Sequence, residues 1–237
     1  MLEAAFWGFV GGAALLIGAI IGLRVAVPER VVGAIMAFGA GVLISAVSFD
    51  LTGEAYATGG ADAAAGGLAA GALTFFLTNK VLLRRENRAG AAADPALPLV
   101  VGAVLDGIPE SAAIGISLLD PGGVSVAVVV AVFLSNIPES LSASAEMGGQ
   151  RSSGFILAMW GIVAAVSSLA AALGYGVLGG AGDNLLGFIN AFAAGAILTM
   201  LADSMIPEAF EHERRSLATG LITTLGFALA ALLTTLD

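Results

Sequence analysis

Two hexapeptides hold the residues best suited to chemistry. They are DGIPES at 106–111 and SNIPES at 135–140, each inside a long apolar run. On a helix Asp106 and Glu110 stand at i and i+4, and Ser135 and Glu139 repeat that spacing. Asn136 precedes Glu139 by three, so each motif turns its oxygens to one face. Pro109 has no N–H for the carbonyl of Leu105, and Pro138 has none for that of Leu134, which predicts two helices kinked or opened at their middles. A carbonyl released in hydrocarbon is costly unless it faces protein, water or an ion, so two opened helices predict one shared polar cavity. The chemistry of such a cavity is cation binding. Carboxylates at mid-membrane need a cation, a proton or water, and no basic residue lies in the central parts of these two runs. In the alternative, Glu110 and Glu139 are protonated and only hydrogen-bond the backbone that the prolines free.

The elements that must position these motifs follow from composition. Of the 237 residues 58% are apolar and 11% charged, with a mean hydropathy of +0.98, against roughly 45–50% and about 25% in soluble domains. The fold class is an all-α integral membrane protein, one transmembrane domain over 1–237. Apolar runs between charged or Gly/Pro/Asp punctuation predict eight spans, at 4–24, 31–57, 63–83, 97–119, 123–147, 154–178, 184–210 and 216–236. The first lacks the basic start of a cleavable signal and is read as a retained helix. Cysteine is absent, which removes disulfides and thiolate ligands together. The net charge of −9 argues against nucleic acid as a partner.

Topology follows from charge. All nine Lys and Arg residues (Arg24, Arg30, Lys80, Arg84, Arg85, Arg88, Arg151, Arg214 and Arg215) fall at the junctions after spans 1, 3, 5 and 7. The other junctions carry only acids: Glu3, Asp62, Asp120, Asp183 and Asp237. The positive-inside rule makes the basic junctions cytoplasmic and both termini extracytoplasmic, in a multi-pass protein of the cell membrane. Residues 80–95, KVLLRRENRAGAAADP, are then a short basic cytoplasmic loop between spans 3 and 4.

Residues 38–56 align without a gap on 192–210, matching Phe38 with Phe192, Gly41 with Gly195, Glu54 with Glu208 and Ala55 with Ala209. The second span runs outward and the seventh inward, so the repeat is inverted, pairing spans 1–3 with 6–8 around 4 and 5. This 3+2+3 arrangement is a construction of secondary transporters, whose sites lie near the midplane. Further acids, Asp50 with Glu54 and Asp203 with Glu208, could form an entrance and an exit or face headgroups.

The paired Pro-Glu motifs, the eight spans and DSMIPEAF at the end of the seventh resemble the ZIP (Zrt- and Irt-like) family of divalent-metal permeases. The resemblance is strongest at 38–56, 100–147 and 192–210. In that family the fourth helix reads His-Asn-x-Pro-Glu-Gly and the fifth His-x-x-Pro-Glu, and these supply the transport-site ligands. Position by position, Asp106 replaces the first histidine and Gly107 the asparagine, while Glu110 is kept. Ser135 replaces the second histidine, Asn136 fits, and Glu139 is kept. The resemblance implies metal ligands Asp106, Glu110, Asn136 and Glu139, with Ser135 a weaker ligand or water holder. It also implies a homodimer in lipid, uptake into the cytoplasm, and an elevator-like movement of helices 1, 4, 5 and 6 against 2, 3, 7 and 8.

This chain lacks both site histidines, any acid in span 6 and a histidine cluster in 80–95. Whether one or two metals bind stays open. The resemblance points to zinc or iron, whereas oxygen-only ligands suit Mn²⁺, Mg²⁺ or Ca²⁺; the cargo is a divalent cation of open identity. The single histidine, His212, reads as a solvated interface residue. Gly18 with Gly22 and Gly67 with Gly71 suit close helix contact, and Trp7 and Trp160 suit interfacial anchoring. Two other classes stay in view: a membrane metal sensor or scaffold that does not transport, and an intramembrane enzyme using Asp106 and Asp203 as an aspartyl dyad. Neither aspartate has a Gly-x-Gly-Asp context, and the expectation is not an enzyme.

Overall fold

Apolar segments in hydrocarbon must satisfy their own backbone, which leaves helices as the form for this composition. The computed structural model describes residues 1–89, 96–119, 122–212 and 218–234, and these contain no strand. In order the helices are α1 (Leu2–Arg24), α2 (Glu29–Ala46), α3 (Thr52–Ala89), α4 (Ala96–Ser117), α5 (Val126–Met147), α6 (Ser153–Leu178), α7 (Asp183–Met200), α8 (Ile206–His212) and α9 (Thr219–Thr234). Two π-helical segments, Val47–Leu51 and Leu201–Met205, join α2 to α3 and α7 to α8. Five segments of the described chain are long and apolar enough to cross a membrane: Leu2–Arg24, Glu29–Arg84, Val126–Met147, Ser153–Leu178 and Asp183–Glu211. The chain is a multi-pass membrane protein.

A straight helix over Glu29–Arg84, 56 residues, would be about 84 Å long, against about 30 Å of hydrocarbon. Gly60 resolves the excess with φ 75° and ψ −179°, a conformation open to a residue without Cβ. Before it, Asp50 and Glu54 share a cavity with Asn190, and Gly59 packs on Gly187, so this limb runs opposite to α7. After it, Gly67 packs on Phe188 and Ala191, and Gly71 on Phe192 and Ala196. The second limb therefore runs with α7. The turn falls between the spans predicted at 31–57 and 63–83.

The π segments stand 154 residues apart, each after an 18-residue helix, in the register of the sequence repeat. α2 and α7 are antiparallel, since Met36 meets Met200 and Met205 at one end and Asp50 meets Asn190 at the other.

Packing divides the helices into two groups. α1 lies on α5 and α6, and α4 on α6; α3 lies on α7, and α2 on α9; α2 against α5 is the main contact between groups. Small residues allow the approach. A Cβ at Gly18 or Gly22 would collide with the carbonyls of Ile137 and Leu141 on α5, and one at Gly67 or Gly71 with those of Phe188 and Phe192 on α7. The main core gathers Met36, Leu43, Ile114, Val132, Ile197 and Leu201.

Three expectations are corrected. α4 and α5 stay helical through Pro109 and Pro138, so neither is opened there. The carbonyl of Leu134 turns to Gly39 of α2, where a Cβ would stand 3.4 Å away, so helix contact and not an opened turn shelters it. Residues 80–89 continue α3 as helix; 90–95 lie outside the described residues, as do Asp120, Arg214, Arg215, Asp237 and the side chains of Arg85, Arg88 and His212. Trp160 is no interfacial anchor: it is 1% exposed, and its Nε1 donates to Ser144 Oγ at 2.8 Å.

Candidate metal-cation site

The helical spacing of the two motifs does bring their side chains together. Asp106 and Glu110 from α4 and Ser135 and Glu139 from α5 line one cavity of about 40 Å³. Its other walls are Met36 from α2, Met200 from α7, Ser204 and Met205 from the second π segment, and Glu208 from α8. Four carboxylates and three thioethers thus face a space the size of a water molecule or a small ion, and among the described residues no Lys, Arg or His lines it.

Glu110 is the most confined member, at 1% exposure. Its Oε1 accepts from Ser135 Oγ at 3.4 Å, near the outer limit for such a bond. Its Oε2 is buried with no hydrogen-bond partner. Ser135 Oγ also donates to Val132 O at 3.0 Å, so the serine divides one proton between two acceptors. An acceptor with no donor in a closed cavity is what a cation or a proton completes. Among the described residues no three His, Cys, Asp or Glu side chains are close enough to hold a metal ion as they stand; the carboxylates surround the space without converging on a point.

A neighbouring cavity of about 280 Å³ shares Asp106, Glu139 and Glu208 with the small one and is lined further by Asn79, Leu83, Ser142 and Glu146. Glu146 also borders a space of about 450 Å³ beside Arg24 and Glu29. These larger cavities thus border the carboxylates on the side where α1 finishes. Towards the Met1 end stand Ala113, Ile114 and Val132, all buried.

No family model matches this chain. A protein does: an Arabidopsis thaliana protein whose name reads "Putative zinc transporter" is 29% identical over 181 residues, which cover 73% of this chain. The chain spans 29% of that protein's length.

The remaining sequence-derived residues divide. Asn136, expected among the ligands, does not line the cavity; it is buried, and its Nδ2 donates to Gly11 O on α1 at 3.1 Å. Glu208, expected at an entrance or exit, stands in the central cavity itself. Asp50 and Glu54 line a separate cavity at the Met1 end. Asp203 is exposed and lines neither, so it is not brought together with Asp106 as an aspartyl dyad. Sequence reasoning missed Met36, Met200, Ser204 and Met205. The signal was present for two of them, since Met200, Ser204 and Glu208 follow one another at i, i+4 and i+8.

Proposed function

We propose that this chain is a ZIP-like permease for a divalent metal cation, with Asp106, Glu110, Glu139 and Glu208 as the cation's carboxylates. Ser135 holds a water or a weak ligand position, and Asn136 anchors α5 to α1. The observation that carries the reading is the buried, partnerless Oε2 of Glu110 in a cavity with three more carboxylates and, among the described residues, no basic side chain. The name of the Arabidopsis relative supports the same class. Zinc is favoured over iron and manganese, because the thioethers of Met36, Met200 and Met205 add soft donors to an otherwise oxygen set; Mg²⁺ and Ca²⁺ fit less well.

The reading includes eight spans in the 3+2+3 arrangement, with the two limbs of α3 serving spans 2 and 3. The antiparallel α2 and α7 and their matched π segments support the inverted repeat. With basic junctions cytoplasmic and both termini outside, the wide cavity opens inward and the cation is released to the cytoplasm. The two packing groups suit an elevator-like movement of α1, α4, α5 and α6 against the rest, in a homodimer in the cell membrane.

The test is flux. Purified protein in liposomes should carry Zn²⁺ saturably above empty vesicles, with competition in the order Zn²⁺, Fe²⁺ or Mn²⁺, then Mg²⁺ and Ca²⁺. No flux from folded protein that still binds Zn²⁺ would leave a sensor or scaffold instead.

A further inference from the structure

A cavity of about 200 Å³ lies at the Met1 end of α4 and α5, lined by Asp50, Glu54, Ser117, Ser125 and Asn190 among others. Ser125 Oγ donates to Asp50 Oδ1 at 3.3 Å, and Ser125 N donates to Ser117 Oγ at 3.1 Å. The first π segment is thereby tied to the adjacent ends of both motif-bearing helices. Asn190 is 5% exposed and lines the cavity, and its amide makes no hydrogen bond among the described residues. A buried amide aimed into a space beside two carboxylates is a polar group awaiting a partner.

This cavity and the central one are built from the same positions of the repeat. The 154-residue offset of the π segments carries Asp50 to Ser204, Leu51 to Met205 and Glu54 to Glu208, and carries Asn190 back to Met36. All four of the first set line the Met1-end cavity, and all four counterparts line the cavity around Glu110. Five repeat residues line the Met1-end cavity, so only Phe49 lacks its counterpart there.

We propose that the cavity at Asp50, Glu54 and Asn190 is a second cation site, the repeat-related counterpart of the central one. When the protein opens to the Met1 end, Glu54 takes the place beside the α4 and α5 carboxylates that Glu208 holds here. The proposal rests on the permease reading. Its physical ground is the dry layer between the cavities. From Glu110 to Ser117 is seven residues of helix, about 10 Å, and the buried Ala113, Ile114 and Val132 lie in it without a carboxylate. A divalent ion crosses such a layer only if the helices that hold it shift, and after the shift it needs a carboxylate on the new side. Asp50, Glu54 and the amide of Asn190 offer oxygen, whereas the central cavity puts the sulfur of Met36 in the place of Asn190 and that of Met205 in the place of Leu51. The Met1-end site therefore accepts divalent cations broadly, and the central site selects among them.

The absence of cysteine makes the test clean. Ser135→Cys places a single thiol in the central cavity, and a small cationic methanethiosulfonate applied to oriented vesicles reads access from each side. The thiol is expected to react from both sides. Adding Glu54→Lys should slow the reaction from the Met1 side about tenfold, equivalent to about 1.4 kcal/mol, and leave the other side unchanged; Glu208→Lys should do the reverse. In the Ser135→Cys chain, Zn²⁺ on the Met1 side should protect the thiol, and Asn190→Ala should raise the Zn²⁺ needed about tenfold. Glu54→Gln, which keeps the shape, replaces Glu54→Lys if the latter does not fold, with a one-sided slowing of about threefold. Two-sided access with no effect of position 54 overturns this proposal and leaves the permease reading standing. Access from the Arg24 side alone in every chain, without Zn²⁺ flux, overturns both.

Discussion

Exchanging Glu110 for glutamine should move stability and binding in opposite directions. Glu110 is 1% exposed, its Oε2 has no partner, and its Oε1 has one bond at 3.4 Å. An unsatisfied buried polar group costs about 1–3 kcal/mol, and a charge costs more than a neutral amide. Glutamine keeps the volume and an acceptor for Ser135 while removing the charge. The metal-free variant should therefore gain about 1–2 kcal/mol, a rise of about 2–8 °C in Tm for a chain of this length. Cation binding should suffer. A carboxylate about 4 Å from one unit charge contributes about 4 kcal/mol at an effective dielectric near 20. A divalent ion doubles that, and its dehydration takes back a large share. A net loss of about 3–4 kcal/mol weakens Zn²⁺ binding roughly 150- to 1,000-fold. Thermal unfolding with and without Zn²⁺ reads both effects at once: Glu110→Gln should start higher and lose the Zn²⁺-induced rise. A variant less stable than the parent, with the Zn²⁺ rise intact, would show Glu110 to be a structural residue and refute the site.

Four further outcomes are expected. Glu139→Ala should abolish Zn²⁺ flux in liposomes at near-normal expression, and retained flux would remove α5 from the site. Asn136→Ala should lose about 1–2 kcal/mol of stability, by removing the hydrogen bond that ties α5 to the carbonyl of Gly11 on α1, while keeping measurable flux; unfolding curves and flux together separate an anchor from a ligand. Asp106→His with Ser135→His should shift competition towards Zn²⁺, and an unchanged metal profile would place selectivity elsewhere. Met36→Leu with Met205→Leu, near-isosteric changes, should weaken Zn²⁺ relative to Mn²⁺ by several-fold, read by competition flux.

Much of the architecture was legible because one solvent dictates it. In hydrocarbon an apolar run has one way to satisfy its backbone, so the predicted spans fall within a few residues of the helices, and the break near 57–63 coincides with Gly60. The pairing of Asp106 with Glu110 and of Ser135 with Glu139 followed from helical spacing, a local property. The expectation of an opened turn at the prolines failed for a reason that is not local. Pro138 does release a carbonyl, but α2 brings Gly39 against it, so the helix has no need to open. Trp160 likewise carries an interfacial residue type, and Ser144 on α5 gives its N–H a buried partner. Asn136 was read as a ligand because it shares a face with Glu139, and α1 approaches closely enough for Gly11 O to claim it.

What the chain's order of residues determined by itself is the solvent, the helices, the internal repeat and the carboxylates of α4 and α5, because each depends on composition or on spacing within one segment. What only the tertiary structure decided is which side chains share a space. Met36 and Glu208 are 172 residues apart and share a cavity because α2 packs on α8, a relation that no spacing within either helix contains. The same packing leaves Glu208 beside Glu110 and Glu54 beside Asn190, giving two equivalent glutamates different neighbours in one conformation.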